Sequence, residues 1–493
     1  MKETSGKKIG EFFAGHVVLI ILVTTLAISL ATINGVWATD HTTAFVEFDY
    51  AVWAYHSFVL GQAGNFQPGS VDVFIYHGNY FMANAPGAAF IALPFAILGF
   101  VLEGHFTVWG DVLLLTEIPA ALANAVAAVM VFKLSSLYFK KHVSAFLALC
   151  YAFSTISWPF ATYLYQSDFA AMFDLIAIYF AIKIARADSD SISQDVRIDT
   201  ISLALFCGLA VTAGTLVDYV NEVLIPIIGV YIFFSVKGNS SILFNPERIK
   251  LVVFFLLESA GLFSVLFGIY NYASFGMIFV NSEQMYLNGA SVFTSFTYPI
   301  YKGMLLNSVT PMRGLLFYDP VLILGVIGFW RMFKKKILRE TLFLLAVFLG
   351  IFLPYSAWYS VTGGISFGPR FLVAAIPYLL IPAGYVISDL RWKNYSFVIA
   401  YILFAAGAIE NGLDSTVGVL IPPSNNWFSS PFLTTVVPDF LAGKVDSWWI
   451  YYSKSDWISI AAFIIAIALV TPLFCTHFLG QEDQSSVLQS NIA

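Results

Sequence analysis

The strongest constraint on this chain is a set of apolar runs too long for a water-soluble core. "HVVLIILVTTLAISLATINGVW" (16–37), "VLLLTEIPAALANAVAAVMVF" (112–132) and "WISIAAFIIAIALVTPLFCTHFLG" (457–480) each hold about 20 apolar residues, enough to cross a hydrocarbon core roughly 30 Å thick. With 59% hydrophobic and 11% charged residues and a mean hydropathy of +0.80, the chain reads as an all-α polytopic membrane protein. The first run is too long for a secretory h-region, lacks a small-x-small cleavage site and is followed by further spans, so it is expected to stay as the first helix. Cys150, Cys207 and Cys475 all fall in apolar spans, which argues against a disulfide framework or a CxxC metal site.

Basic residues set the topology. Lys2, Lys7 and Lys8 place the N-terminus in the cytoplasm. Further clusters stand at 133–141, 183–197, 237–250, 331–339 and 391–393, and 19 of the 24 Lys and Arg fall on the inside if all are cytoplasmic. Each interval between clusters must then hold an even number of crossings. Spans near 142–164, 168–185, 200–217, 219–236, 251–270, 315–333, 341–359, 371–388, 396–414 and 456–479 satisfy this parity; with 16–37 and 112–132 they make about 12 crossings. "YHGNYFMANAPGAAFIALPFAILGF" (76–100) therefore cannot be a third span before Lys133. It is expected at the outer surface, as the polar approach to a short helix kept out of the bilayer core by Pro86 and Pro94. Residues 37–111 become one outer loop without Lys or Arg but with Asp40, Glu47, Asp49, Asp72, Glu103 and Asp111. Juxtamembrane helices are expected near 46–60 and 85–103, in a single transmembrane domain spanning 1–480 with a polar tail at 481–493.

Several groups on this outer side are candidates for chemistry. Glu47 and Asp49 lie at the start of a predicted helix, where the dipole favours anions. They are either helix-start acids in a wet loop or a general base for an acceptor hydroxyl. Asp168 begins a returning span and is either a helix cap or a second active acid. Arg370 ends the glycine-rich turn "TGGISFGPRF" (362–371) and is one of five basic residues outside, with Lys302, Arg313, Lys444 and Lys454; a guanidinium there suits a lipid phosphate or snorkels to the interface. Lys302 and Arg313 are lesser versions of the same idea, and His77 and Tyr80 are polar contacts on the opening hook. Asp218 and Glu222 are i,i+4 neighbours at an outer turn. Asp174 and Glu258 lie within spans, where an acid needs a partner or a neutral state. His41, His56 and His77 share the acidic loop without regular metal-ligand spacing. No Walker A, GxSxG, HExxH or dinucleotide fingerprint is present. Intramembrane acids also fit a transporter or flippase, although no inverted repeat is visible.

The series "YA(x)9G" from Tyr50 and Ala51 to Gly61, "HGNYFMANAPGAAFIALPFAILG", "ISWPFATYLYQSDFAAMF", "RGLLFYDPVLILGVIGF" and "WYSVTGGISFGPRFLVAAIPYLLIPAG" resembles membrane glycosyltransferases of the GT-C superfamily. The likeness is to the lipid-carrier-dependent branch related to protein mannosyltransferases and lipid A aminoarabinose transferases, over roughly residues 10–390. It implies transfer of a sugar from a polyprenyl- or dolichyl-phosphate donor to a glycan, lipid or protein acceptor on the outer face of the plasma membrane, usually with inversion. It involves no nucleic acid, and neither a cofactor nor a divalent metal is indicated. In that frame the first-loop acid maps to Glu47 or Asp49 and the second acid to Asp168. The chain departs from the family in carrying Glu47-Phe48-Asp49 in place of an adjacent Asp-Glu pair, and Asp218 where many members carry a basic residue. This permits a catalytically silent GT-C-like subunit as a further reading, and leaves Arg370 as the preferred phosphate contact.

Overall fold

The structure is a computed structural model that describes residues 2–35, 39–60, 72–105, 110–187, 194–235, 245–287, 295–389, 395–418, 421–422, 424, 426–444 and 447–449, with 458, 461, 464 and 465 beyond them. The span expected near 456–479 and the tail at 481–493 lie largely outside these residues. In chain order the helices are α1 (Lys2–Ala31), α2 (Asp40–Tyr55), α3 (Gly87–Glu103), α4 (Asp111–Ser135), α5 (Lys141–Phe153), α6 (Ser157–Phe160) and α7 (Gln166–Ala187). They continue with α8 (Gln194–Val217), α9 (Leu224–Ser235), α10 (Pro246–Leu256), α11 (Phe263–Phe275), α12 (Ser282–Tyr286), α13 (Ile300–Val309), α14 (Leu315–Tyr318) and α15 (Ile323–Lys334). The last four are α16 (Leu338–Ala357), α17 (Ile376–Ile387), α18 (Tyr395–Val417) and α19 (Val437–Leu441). Among the described residues six stretches, 111–135, 200–217, 246–275, 338–357, 370–387 and 398–417, are long and apolar enough to cross a membrane, so this is an integral membrane protein.

Residues 73–82 depart from the all-helical reading. Strands β1 (Val73–Tyr76) and β2 (Asn79–Met82) form an antiparallel hairpin, Val73 opposite Met82 and Tyr76 opposite Asn79. His77 and Gly78, at φ +49° and +79°, make the two-residue turn with both central residues left-handed that matches strand twist. The hook expected as the polar approach to a helix is instead a hairpin, set by the residues that alternate on either side of His77 and Gly78. Phe74 and Phe81 pack against Phe275 and Ala83, which ties the hairpin to the end of α11.

Both helices expected within residues 37–111 are present. α2 starts earlier than expected because Thr39 caps it, its hydroxyl accepting from Thr42 N at 2.9 Å. α3 turns Ala88, Ala89, Ala92, Ala96 and Gly99 inward and leaves Phe90, Leu98, Val101 and Leu102 exposed, the pattern of a helix whose apolar side faces lipid. The span expected at 142–164 is broken into α5 and α6.

Close backbone contact holds the bundle together. α15 lies on α17 at Gly325 and Gly328, where an added Cβ would stand 1.9 Å from Leu379 O and 2.0 Å from Pro382 O. Small residues permit such approach between membrane helices. Gly328→Leu should therefore force the two helices apart. The purified variant is expected to unfold at least about 3 °C below wild type in detergent, measured by a thermal unfolding scan.

Candidate active site

One cavity of about 460 Å3 opens where the helix ends converge. Its wall is drawn from the start of α2 (Thr39, His41), the base of the hairpin (Asp72, Asn84), the α7 start (Tyr165, Gln166), the α8 end (Asp218, Tyr219), α12 (Glu283, Tyr286) and the 355–371 stretch (Tyr355, Trp358, Arg370). Every one of these segments is an outer turn or span end in the charge-parity topology, so residues far apart in sequence meet on one side of the bundle.

Local structure explains how each polar group arrives there. Asp72 directly precedes β1, and its carbonyl accepts from Ala83 N at 2.9 Å, extending the hairpin ladder by one pair. Its carboxylate Oδ2 lies 3.4 Å from His41 Nδ1, and the other ring nitrogen, His41 Nε2, bonds Gln166 Oε1. Burial opposes the charge on Asp72, but His41 and then Arg370 outweigh it and hold this carboxyl below the ordinary carboxylate pKa. Asp218 caps the short turn after α8, accepting from Val220 N at 3.1 Å, and also accepts from the Tyr355 hydroxyl. Burial raises its pKa, with Tyr355 and Arg370 working against the rise. Burial, reinforced by Asp218, pushes Glu283 up to about 8.

Arg370 follows a loop in which Gly363, Gly364 and Gly368 all have positive φ. At Gly363, φ +73°, a Cβ would come 3.1 Å from the Arg370 Cγ, so glycine both permits the turn and seats the arginine stem. The guanidinium lies over two rings, 5.0 Å from the centre of Tyr165 and 4.8 Å from that of Phe371. Its Nε meets no hydrogen-bond partner among the described residues.

Of the catalytic and substrate-binding candidates Glu47, Asp49, Asp168, Arg370, His77, Tyr80, Lys302 and Arg313, Arg370 lines this cavity and the other seven do not. Glu47 and Asp49 lie on α2 but on its buried side, with both Asp49 carboxylate oxygens unpartnered; burial pushes Glu47 up to about 7 and Asp49 upward as well. Asp168 is fully buried, 3.3 Å from the Ser157 hydroxyl, which donates to Asn124 at 2.7 Å. His77 is the exposed hairpin tip, stacked on Tyr76; Tyr80 sits in β2 opposite Ile75; Lys302 is exposed on α13. Arg313 is fully buried and bonded to backbone. The sequence reading named Asp72, His41 and Asp218 without assigning them to one site, and passed over Glu283. The signal available for Glu283 was its place in an aromatic-rich outer loop beginning with an Asn281–Gln284 capping box. No group of three or more His, Cys, Asp or Glu among the described residues is arranged to hold a metal ion.

No known family model and no curated protein sequence matches the chain. Solved structures do. The oligosaccharyltransferase AglB of Archaeoglobus fulgidus, in complex with an inhibitory peptide and a dolichol-phosphate, matches with a TM-score of 0.51 at 13% identity over 84% of this chain. The same enzyme tethered to an acceptor peptide containing the NVT sequon gives 0.52 at 12% identity, again over 84%. ArnT of Cupriavidus metallidurans bound to undecaprenyl phosphate gives 0.50 at 14% identity over 94% of this chain and 77% of its own. This chain spans 57% of the length of AglB. The shared architecture is the GT-C fold.

The raised pKa of Glu283 sets a stability window. A carboxyl held above its unfolded value of 4.5 contributes fully below that pH, and the contribution is lost as pH rises to about 8. Glu283→Gln should remove this loss, so the variant's melting temperature in detergent is expected to fall less than wild type's between pH 5 and 8, by about 2 °C or more.

Proposed function

We propose that the chain is a glycosyltransferase that moves a sugar from a polyprenyl-phosphate carrier to an acceptor hydroxyl on the extracytoplasmic face, with inversion at the anomeric carbon. The observation that carries this reading is the pairing, in one cavity at the helix ends of a GT-C fold, of a carboxylate favoured in its ionised form with a ring-seated guanidinium. About 12 crossings with a cytoplasmic N-terminus would put that cavity outside.

Asp72 is the base in this scheme. The acceptor oxygen attacks the anomeric carbon, its proton passes to Asp72, and the bond from that carbon to the phosphate oxygen breaks. The electron pair leaves with the polyprenyl phosphate, whose added charge meets Arg370. His41, tethered by Gln166, fixes the Asp72 carboxylate on the donor side. Asp218 and Glu283, both with raised pKa, are suited to hydrogen-bonding sugar hydroxyls without repelling the phosphate. A donor with a long lipid tail reaches such a site laterally from the bilayer, which suits a cavity at headgroup depth. The base is placed at Asp72 in preference to Glu47, Asp49 or Asp168, because those three carboxyls face packed interior.

Transfer from a panel of undecaprenyl- and dolichyl-phosphate sugars by the purified protein tests the scheme. Asp72→Asn is expected to lower the transfer rate about 10²- to 10⁴-fold, and Arg370→Gln about 10²- to 10³-fold. Glu47→Gln, Asp49→Asn and Asp168→Asn, compared per folded molecule, should each cost less than Asp72→Asn. Undiminished transfer by Asp72→Asn would move the base elsewhere.

A further inference from the structure

The motif "RGLLFYDP" (313–320) stands outside the cavity, yet its arginine is among the most deeply buried side chains described, with no exposed surface. Arg313 spends its donors on backbone. Nε donates to Thr362 O at 2.9 Å, NH2 to Gly364 O and to Ile421 O at 3.2 Å each, and NH1 reaches Met312 O at 3.4 Å. Thr362 and Gly364 flank Gly363, the residue on which the Arg370 stem rests. Ile421 O also accepts from Ser366 N at 3.1 Å, so the guanidinium joins the 421 segment to the start of the glycine loop, and the same carbonyl holds the loop's middle.

The rest of the motif braces the same corner. The Tyr318 hydroxyl donates to Met312 O at 3.1 Å, directly behind Arg313. Tyr318 also packs against Gly368, where an added Cβ would lie 3.3 Å from its ring. Asp319 Oδ1 accepts from Ile156 N at 2.7 Å, fastening the corner to the break between α5 and α6. A loop with three left-handed glycines has many accessible conformations, and an arginine fork bonded to its carbonyls selects one of them.

We propose that Arg313 is a positioning residue: it holds the glycine loop 362–368 in the conformation that aims Arg370 into the cavity, and so sets affinity for an anionic phosphate without touching it. This rests on the reading of Arg370 as the phosphate contact. A lysine in place of Arg313 keeps the charge and cannot span the Thr362, Gly364 and Ile421 carbonyls together.

The test is binding of farnesyl phosphate to the purified full chain by calorimetry, together with hydrogen exchange at 362–368 and, with an active donor, the steady-state constants. Arg313→Lys is expected to weaken binding about tenfold, to raise donor KM with kcat much less affected, and to speed exchange at 362–368 well beyond any change in the spans. Tyr318→Phe, a milder change at the same corner, should shift binding in the same direction by less. Arg313→Lys and Tyr318→Phe binding like wild type would overturn the proposal, as would exchange that rises evenly along the chain. If wild type binds no farnesyl phosphate, or Arg370→Gln binds it equally well, the Arg370 reading itself fails; the Arg313 variants leave that question untouched.

Discussion

An ionised group at the centre of a bilayer costs roughly 2.5–3.5 kcal/mol on insertion scales, and the placement of polar side chains in this molecule follows from that. Two of the acids that lie within helices have a donor. Asp174 accepts from Asn221 at 3.1 Å, and Glu117 accepts from Gly35 N at 2.7 Å. Groups with ionisable chemistry to offer are collected at helix ends, where Asp218 follows α8 and Arg370 precedes α17. The cavity exists because six separate helix ends and a hairpin base meet at one level.

Irregular backbone at that level does the positioning. Helix ends leave unpaired N–H and carbonyl groups, and the chain uses them: Val220 N fixes Asp218, the hairpin ladder fixes Asp72, and the carbonyls of Thr362 and Gly364 engage Arg313. Aromatic rings fill the remaining space. Tyr165 and Phe371 flank Arg370, and Phe371 in turn stacks on Tyr355 at 4.7 Å, whose hydroxyl bonds Asp218. Arg370 and Asp218 are thus linked through a ring and a hydroxyl, so a change at either end disturbs both walls of the cavity.

Much of the architecture was readable in advance because membrane burial writes itself into composition. The exclusion of 76–100 from the list of spans rests on the parity of basic clusters, and the structure places a 17-residue helix, α3, in that stretch. Arg370 was legible for a related reason, as a cation on a side nearly stripped of them. The acids were harder. Glu47 and Asp49 occupy a helix whose start lines the cavity, but they lie six and eight residues past His41 on its buried side, and the sequence around them has too weak an amphipathic pattern to orient that helix. His77 marked a polar hook whose hairpin geometry shows only in the paired left-handed angles.

The sequence by itself determined that this chain inserts in a membrane as helices, that residues 37–111 carry acids but no Lys or Arg, and that one arginine stands at the start of a span. These are one-dimensional properties, set by hydropathy, helix length and charge placement, each local to its own stretch. Which carboxylates face that arginine was decided by tertiary structure alone. Asp72, Asp218 and Glu283 come from segments as much as 211 positions apart, and their protonation depends on the burial and the cations that packing places around them.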